Sequence, residues 1–218
     1  MSNKCQNCHL VNYQDIAVCV RCGTEIRETE NIKPKPGFLK TAILRRAIIC
    51  VAVLAAALAG FYASLIGSAD PLKPDERKNV EAAIGLLEGS GFNSAIFYLK
   101  HLAVFRANDN WLNASVTKEN AYAATNFPFE IVTVYPDFFV YPADATEQAA
   151  ILLHESCHLA GKDEKEAYEF VWKNRKRLGW TKDLYGNSPV WKAVRKQTRE
   201  YSPELFVCEF NDFDDCTE

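Results

Sequence analysis

The chain has 218 residues, of which 48% are hydrophobic and 24% are charged, and its formal net charge is -3. These values are close to those of ordinary globular proteins, so they exclude wholesale disorder and do not suggest a protein that coats nucleic acid. The charge is unevenly distributed, because residues 1–46 hold eight Lys/Arg and four Asp/Glu, whereas residues 47–218 hold 17 and 24. The sequence therefore predicts a protein of several parts, with a basic head and an acidic body.

Two Cys-x-x-Cys pairs lie near the N-terminus. They are Cys5 with Cys8 and Cys19 with Cys22. This pairing predicts one structural zinc ion held tetrahedrally by four thiolates. Gly23, directly after the second pair, suits the positive φ that brings backbone amides toward the sulfurs. Residues 3–27 resemble the short zinc ribbons found at the N-termini of many bacterial membrane proteins, and we predict a zinc ribbon domain over residues 1–30.

This segment has two other interpretations. The pairs can be redox dithiols, although no strand-helix pattern of a thioredoxin-like fold surrounds them. His9 is a further potential ligand, but with four cysteines present we expect it to be a bystander. Nucleic-acid binding is not expected, because the charges are mixed and Tyr13 is the single aromatic residue between the pairs.

Residues 31–46 predict a basic linker, because Pro34, Pro36 and Gly37 disfavour a regular helix. Residues 47–69 then run without a charge, and a helix of this length crosses a bilayer. We therefore predict one transmembrane helix. A buried helix of a soluble protein or a cleaved signal peptide fits this segment less well.

The basic residues beside the apolar segment are Lys40, Arg45 and Arg46, and all three precede it. The positive-inside bias thus predicts a single-pass membrane protein with a cytoplasmic N-terminus and an extracytoplasmic C-terminal domain.

Residues 70–218 predict an α+β domain that is mostly helical, with a short sheet. The first predicted helix covers the apolar positions Val80, Ala83, Ile84 and Leu87 and ends at Gly89 or Gly91. Four further helices are predicted over about 94–105, 145–160, 164–178 and 189–201, and one strand over 130–135. The second helix has Ile96, Phe97, Leu99 and Val104 as core candidates.

The sequence His154-Glu155-Ser156-Cys157-His158 carries the candidate chemistry. On a helix, histidines four residues apart project from one face, so His154 and His158 can bind one zinc ion. Glu155 lies beside that face, where it can deprotonate a metal-bound water.

The context of this motif favours two consecutive helices. Asp144 and Glu147 predict a capping box before the first helix, and Gly161 predicts its end. Asp163 and Glu166 predict a second capping box. Glu164 then falls in the first turn of the second helix, where it can complete a His, His, Glu ligand set.

Residues 129–179 resemble the zincin class of metallopeptidases. The Glu164-Lys-Glu-Ala167 segment is similar to the pattern that supplies the third ligand in gluzincins, and Glu164 also occupies the third-ligand position of the metzincin motif HExxHxxGxxH. The resemblance implies a zinc peptidase with Glu155 as general base. The metzincin Met-turn is missing, because the only methionine is Met1.

Several assignments stay open at this point. Glu166 is the rival third ligand, and Tyr168, Tyr185 and Tyr201 are possible oxyanion donors. Cys157 and His101 are expected to be a small buried residue and a satisfied core or surface histidine. Cys208 and Cys216 can form a disulfide or remain free thiols.

The sequence thus predicts a membrane-anchored zinc-dependent hydrolase with one catalytic and one structural zinc, acting on a peptide or protein. The alternative is a non-catalytic zinc-binding membrane protein, in which the cysteine segment recruits a cytoplasmic protein partner and the outer domain binds or senses a ligand.

Overall fold

The computed structural model describes residues 3–13, 16–26, 36–115, 121–209 and 215–217. Their contacts divide the chain into two compact units, Met1–Ala55 and Ala56–Glu218. The predicted end of the cysteine segment and the first part of the predicted linker, residues 27–35, lie outside the described residues.

The first unit begins with two short turns that carry the cysteine pairs. Strands β1 (Asn3–Lys4) and β2 (Val11–Asn12) pair in antiparallel fashion around the first turn. An isolated bridge between Val18 and Glu25 encloses the second turn. Strands of two residues provide little backbone pairing, so the structure of this segment depends on its cysteine cluster.

Helix α1 covers Pro36–Gly67, which is 32 residues. It begins before residue 47, so residues 36–46 of the predicted linker are helical. Proline is tolerated there because the first turn of a helix has no intrahelical partner for its backbone N–H groups. By length and composition, the part from Thr41 to Gly67 can cross a membrane.

The second unit continues from the end of α1 into an α+β domain. Its helices are α2 (Pro74–Gly89), α3 (Asn93–Phe97, continued by a π-helical turn over Tyr98–Leu102), α4 (Asp137–Val140), α5 (Ala145–Leu159), α6 (Glu164–Asn174), α7 (Lys182–Tyr185) and α8 (Pro189–Tyr201). Short 3-10 turns cover Asn113–Ser115 and Pro203–Phe206. The predicted mostly helical architecture is confirmed.

The sheet of this domain has three strands in the order β3-β5-β4, which are Val104–Arg106, Ile131–Val134 and Ala123–Asn126. The central strand β5 is parallel to β3 and antiparallel to β4. All four residues of β5 are buried. Strand β4 is at the edge of the sheet and packs on α5.

The prediction of a second helix through residue 105 is wrong at its C-terminal end. The π-helical turn closes at Ala103, whose N–H bonds to the Tyr98 carbonyl, and β3 follows at once. Val104 and Phe105 pair with β5 because β-branched and aromatic residues suit a strand that has a partner. Phe97 was expected in the core but is 54% exposed.

Helix α5 is the centre of the hydrophobic core. It packs against α2, α6 and β4, and most of its side chains are buried. The fully buried apolar positions Ala149, Ala150, Leu152 and Leu153 directly precede the motif that runs from His154 to His158. Their burial on several faces fixes the rotation of α5, and with it the direction of the residues that follow.

The N-terminus of α5 differs in part from the predicted capping box. Asp144 accepts hydrogen bonds from the backbone N–H groups of Thr146 and Glu147, as expected of an N-cap. The fully buried Glu147 carboxylate instead accepts from Ala143 N at 2.8 Å, from Trp180 Nε1 at 3.1 Å and from Ser188 Oγ. It therefore connects the start of α5 to the start of α8.

The C-terminal residues are held to the domain by two covalent or ionic links. Cys208 and Cys216 form a disulfide. Asp215 forms a buried ion pair with Arg175 at 3.0 Å, and it also accepts from Trp172 Nε1 at 3.0 Å. These bonds fasten the chain end beside α6.

Candidate metal centres and cleft

The four N-terminal cysteines form a compact cluster. Their sulfur atoms all lie within 4.8 Å of one another, with 3.6 Å between those of Cys5 and Cys22 and 3.5 Å between those of Cys8 and Cys19. A tetrahedral Zn–S₄ site has S···S edges of about 3.8 Å. The cluster can therefore hold a metal ion such as zinc.

The two turns of this cluster share one backbone geometry. In each turn, the residue after the second cysteine has a positive φ, 58° at His9 and 65° at Gly23, and its N–H bonds to the carbonyl of the first cysteine at 2.9 Å. The positive φ expected at Gly23 is confirmed. The exposed His9 is thus the conformational counterpart of Gly23 and is not part of the metal-binding group.

Backbone amides act on the thiols of this cluster. The amides of Arg21 and Cys22 lower the pKa of Cys19 to about 6, although partial burial opposes this effect. The Leu10 amide lowers the pKa of Cys8, but burial and the neighbouring sulfurs together raise it to about 12. The backbone amides thus favour the thiolate form of Cys19, which is the form that binds a metal ion.

The second cluster contains His154, His158 and Glu164. The two Nε2 atoms are 3.0 Å apart, and Glu164 lies 3.2 Å from His154 and 3.5 Å from His158. These distances are close to the edge of about 3.3 Å expected between nitrogen and oxygen ligands of a tetrahedral zinc ion. The three residues can hold a metal ion from one side.

The turn after α5 orients His158. Lys162 N bonds to the Cys157 carbonyl at 3.0 Å and Gly161 N to the His158 carbonyl at 2.9 Å, which is a Schellman motif with Gly161 at φ 77°. This turn directs the Lys162 carbonyl back toward the helix, where it accepts from His158 Nδ1 at 3.0 Å. The bond leaves Nε2 of a neutral ring with a free lone pair.

His154 is oriented by packing. Its ring lies against Tyr168, with centroids 4.3 Å apart, and the Tyr168 hydroxyl donates to Gln197 Oε1 at 2.6 Å. The buried Nδ1 of His154 has no hydrogen-bond partner among the described residues. The two histidines are therefore held by different means.

The histidines and Glu164 of the second cluster shift one another's pKa values, because their charges are opposite. Burial lowers the pKa of His158, but Glu164, Glu155 and the Lys162 carbonyl together raise it to about 9. Hydrogen bonds from His154 and His158 hold the pKa of Glu164 well below its usual range. The site therefore attracts positive charge to this position.

Glu155 faces the cleft beside the histidines and is only 4% exposed. Its Oε2 accepts from Thr125 Oγ1 at 2.8 Å, and the same hydroxyl is 3.3 Å from the Glu155 carbonyl. Thr125 is on β4, so the sheet edge holds this carboxylate. The sequence contained no signal for Thr125, because β4 was not predicted.

An open cleft of about 570 Å³ surrounds the second cluster. It is lined by residues 121–125 and Phe127, by residues of α5, and by residues of α6 and α8. Tyr168 and Tyr201 line it, with their rings stacked at 5.4 Å. Tyr185 lies elsewhere, since its hydroxyl donates to Asp144 at the start of α5.

The structure separates the remaining candidates from the cluster. Glu166 accepts from the Asp163 N–H while Asp163 accepts from the Glu166 N–H, so the predicted capping box is confirmed and this carboxylate is occupied. Cys157 is buried, and burial raises its pKa to about 11. His101 is exposed against the Phe97 ring.

Comparison with known proteins finds no matching family model, no matching curated protein and no matching solved structure. The resemblance to zincins consequently rests on the motif residues of this chain and their arrangement.

Proposed function

We propose that this chain is a membrane-anchored, zinc-dependent hydrolase that cleaves peptide bonds in the cleft beside α5. The observation that carries the proposal is the convergence of His154, His158 and Glu164 on one point next to the buried carboxylate of Glu155. Three ligands on one side and an open cleft on the other are typical of a catalytic rather than a structural zinc site.

The chemistry follows from the roles of these side chains. Zinc bound by His154, His158 and Glu164 would supply Lewis acidity to a substrate carbonyl and to a water molecule. Glu155 is held by Thr125 and accepts the proton of the attacking water, then delivers it to the leaving amine. Tyr201 lines the same cleft and is the candidate for stabilising the developing oxyanion, because the Tyr168 hydroxyl already donates to Gln197.

The position of the edge strand β4 favours a polypeptide as the substrate. Residues 121–125 line the cleft, and within the described residues the second edge of β4 pairs with no strand. An extended peptide can add to such an edge through main-chain hydrogen bonds, which bind it without regard to sequence. The scissile bond would then lie over Glu155.

The N-terminal part completes this proposal. The cysteine cluster is a structural zinc module, α1 anchors the chain, and the basic residues before the apolar segment keep the N-terminus in the cytoplasm. The module is then available to a cytoplasmic protein partner, while the hydrolase domain works outside.

The test compares zinc content and turnover in variants of the full chain. Wild type is expected to hold two zinc ions per chain, whereas His154→Ala, His158→Ala and Glu164→Gln are expected to hold one. Glu155→Gln keeps the ligands, so zinc should stay at two while cleavage of a mixed peptide library falls by about 10²–10⁴-fold. Zinc is measured by elemental analysis and cleavage by mass spectrometry.

Glu166→Gln is the matched control, because this exposed glutamate caps α6 and has no ligand role. It should retain both zinc ions and turnover. If the histidine variants keep two zinc ions, the proposal is wrong. Two zinc ions without turnover in wild type would favour a non-catalytic metal-binding protein.

A further inference from the structure

The end of α1 is packed into the α+β domain. Leu65 is fully buried, and the Phe61 ring contacts the rings of Trp111 and Phe129 at 5.6 and 5.4 Å. Trp111 Nε1 donates to Ser64 Oγ at 3.3 Å. Residues 61–65 are part of the same apolar helix that can cross a membrane, so the domain is attached to that helix without an intervening linker.

The length of the apolar segment places this contact at the edge of the bilayer. The hydrocarbon core needs about 20 helical residues. Arg45 and Arg46 are costly within the core, so the span begins after them. Twenty residues from Ala47 reach Ile66, and the contacts at Phe61 and Leu65 therefore lie within the last turn and a half of the span.

The surface next to these contacts is aromatic and exposed. Trp111 is 51% exposed although its ring touches Phe61. Phe127, which is 58% exposed, shares the β4–β5 turn with Phe129. Tryptophan and other aromatic side chains are enriched where protein meets the headgroup layer, since one part of the ring is apolar and its edge can remain hydrated.

The same turn forms the rim of the cleft. Phe127 lines the cleft and lies against the Schellman turn at Gly161, whereas Phe129, two residues later, contacts α1. One four-residue turn thus connects the end of the membrane helix to the mouth of the candidate site.

We propose that Trp111 and the β4–β5 turn seat the cleft on the bilayer surface, so that its substrates are the membrane-adjacent segments of polypeptides. The substrate class rests on the hydrolase function proposed above, whereas the position of the cleft at the bilayer surface does not. A polypeptide that emerges from the bilayer would reach β4 within its first residues, whereas soluble chains would have to approach along the membrane.

Tryptophan fluorescence tests the position, because the other three tryptophans, Trp172, Trp180 and Trp191, are buried. The full chain is reconstituted in phosphatidylcholine vesicles that carry bromine near the headgroup or deep in the acyl chains. We expect shallow bromines to quench more than deep ones, and Trp111→Phe to remove most of this quenching. Equal quenching of wild type and Trp111→Phe would overturn the proposal.

Leu184 provides the matched control. It is 74% exposed on α7, whose Tyr185 contacts the start of α5, about 22 Å of helix away from the Gly161 end. In the Trp111→Phe background, Leu184→Trp should be quenched at least threefold less by shallow bromines than Trp111 is. Equal quenching would mean that no particular face meets the lipid.

Photo-crosslinking tests the substrate class without requiring turnover. The photoreactive residue p-benzoylphenylalanine replaces Phe127 in a Glu155→Gln chain, which is co-reconstituted with a synthetic peptide of one apolar span and a 25-residue tail. Adducts confined to the ten tail residues nearest the span support the proposal, and adducts spread evenly along the tail overturn it. If the hydrolase proposal is wrong, the wild type will show no turnover, but the quenching and crosslinking results will be unchanged.

Discussion

Thr125 is the residue whose role was least visible in the sequence. Its hydroxyl donates to the Glu155 carboxylate at 2.8 Å from the edge strand β4. Because Glu155 is buried, this bond restricts the carboxylate to one orientation. A hydrogen bond to a charged group contributes about 1.5–3 kcal/mol, which is enough to influence a reaction step.

We expect Thr125→Val to lower kcat by about tenfold or more, with little change in KM, because it removes the hydroxyl and keeps the shape. Zinc content should not change, since no ligand is touched. Thr125→Ser restores the hydroxyl and should recover most of the activity. Failure of serine to rescue would show that Thr125 acts through packing and not through its hydrogen bond.

A second prediction at this scale concerns the two positive-φ residues of the cysteine cluster. Gly23→Ala should weaken zinc binding by about five- to tenfold, because a side chain is strained at this φ although the space around it is open. His9→Gly should be nearly neutral, because histidine accepts a positive φ more readily than alanine, and the smaller strain that is relieved is offset by the larger entropy of glycine in the unfolded chain.

Zinc competition with a chromophoric chelator measures both variants in a His154→Ala background, which leaves the cysteine site as the reporter. Loss of zinc in His9→Gly would make His9 a ligand and would contradict its bystander role.

At the scale of elements, the turn after α5 both ends the helix and orients His158, which is a candidate metal ligand. Gly161 adopts φ 77° and allows the Lys162 carbonyl to reach His158. A Cβ at this position would meet Phe127 only at an ordinary contact distance of 3.8 Å. The cost of a substitution therefore comes from the backbone conformation and not from a clash.

Gly161→Ala is expected to destabilise the domain by about 1–2 kcal/mol and to weaken metal binding by His158. Gly85→Ala makes the same chemical change in the exposed interior of α2, where it should stabilise by about 0.5–1 kcal/mol. Thermal unfolding of both variants measures the contrast. A loss of similar size in both would remove the special role of the turn.

The prediction of elements succeeded where capping residues and helical periodicity agreed. Asp163 and Ser188 cap α6 and α8 as their residue types suggest, and Gly91 follows the end of α2 with a positive φ of 75°. Strands β3 and β4 were missed, because three and four residues show no alternating pattern and these two segments lack the β-branched run that marks β5. Their pairing with the buried β5 selects the extended conformation.

At the scale of the whole molecule, the segment around the cysteine cluster and the domain around the second cluster differ in how far their folding depends on a metal ion. The cysteine segment has two-residue strands and few buried side chains, whereas the α+β domain has a core of large apolar residues. A segment of that size rarely folds without a staple. The domain has enough buried surface to fold by itself.

We therefore expect a strong chelator to unfold the cysteine segment and to leave the α+β domain folded. Hydrogen exchange of the full chain in detergent should show amides of residues 3–13 and 16–26 losing protection, while those of α2 and α5 keep it. Simultaneous loss of protection in α5 would show that the His154, His158 and Glu164 site is structural.

The sequence by itself determined the parts of this protein that depend on local spacing. Two Cys-x-x-Cys pairs, an uncharged apolar segment and the motif His154-Glu155-x-x-His158 each need only neighbours along the chain. The choice of Glu164 over Glu166 was also largely local, because Glu166 is engaged in the α6 capping box.

Only the tertiary structure decided which distant groups meet at the site. Thr125 reaches Glu155 across 30 positions of sequence, Tyr168 orients His154, and Phe129 joins the cleft rim to Phe61. No periodic pattern encodes such contacts, because they follow from how α5 packs between the sheet and its neighbouring helices. Packing at native density leaves each side chain few orientations, and those orientations assemble the site.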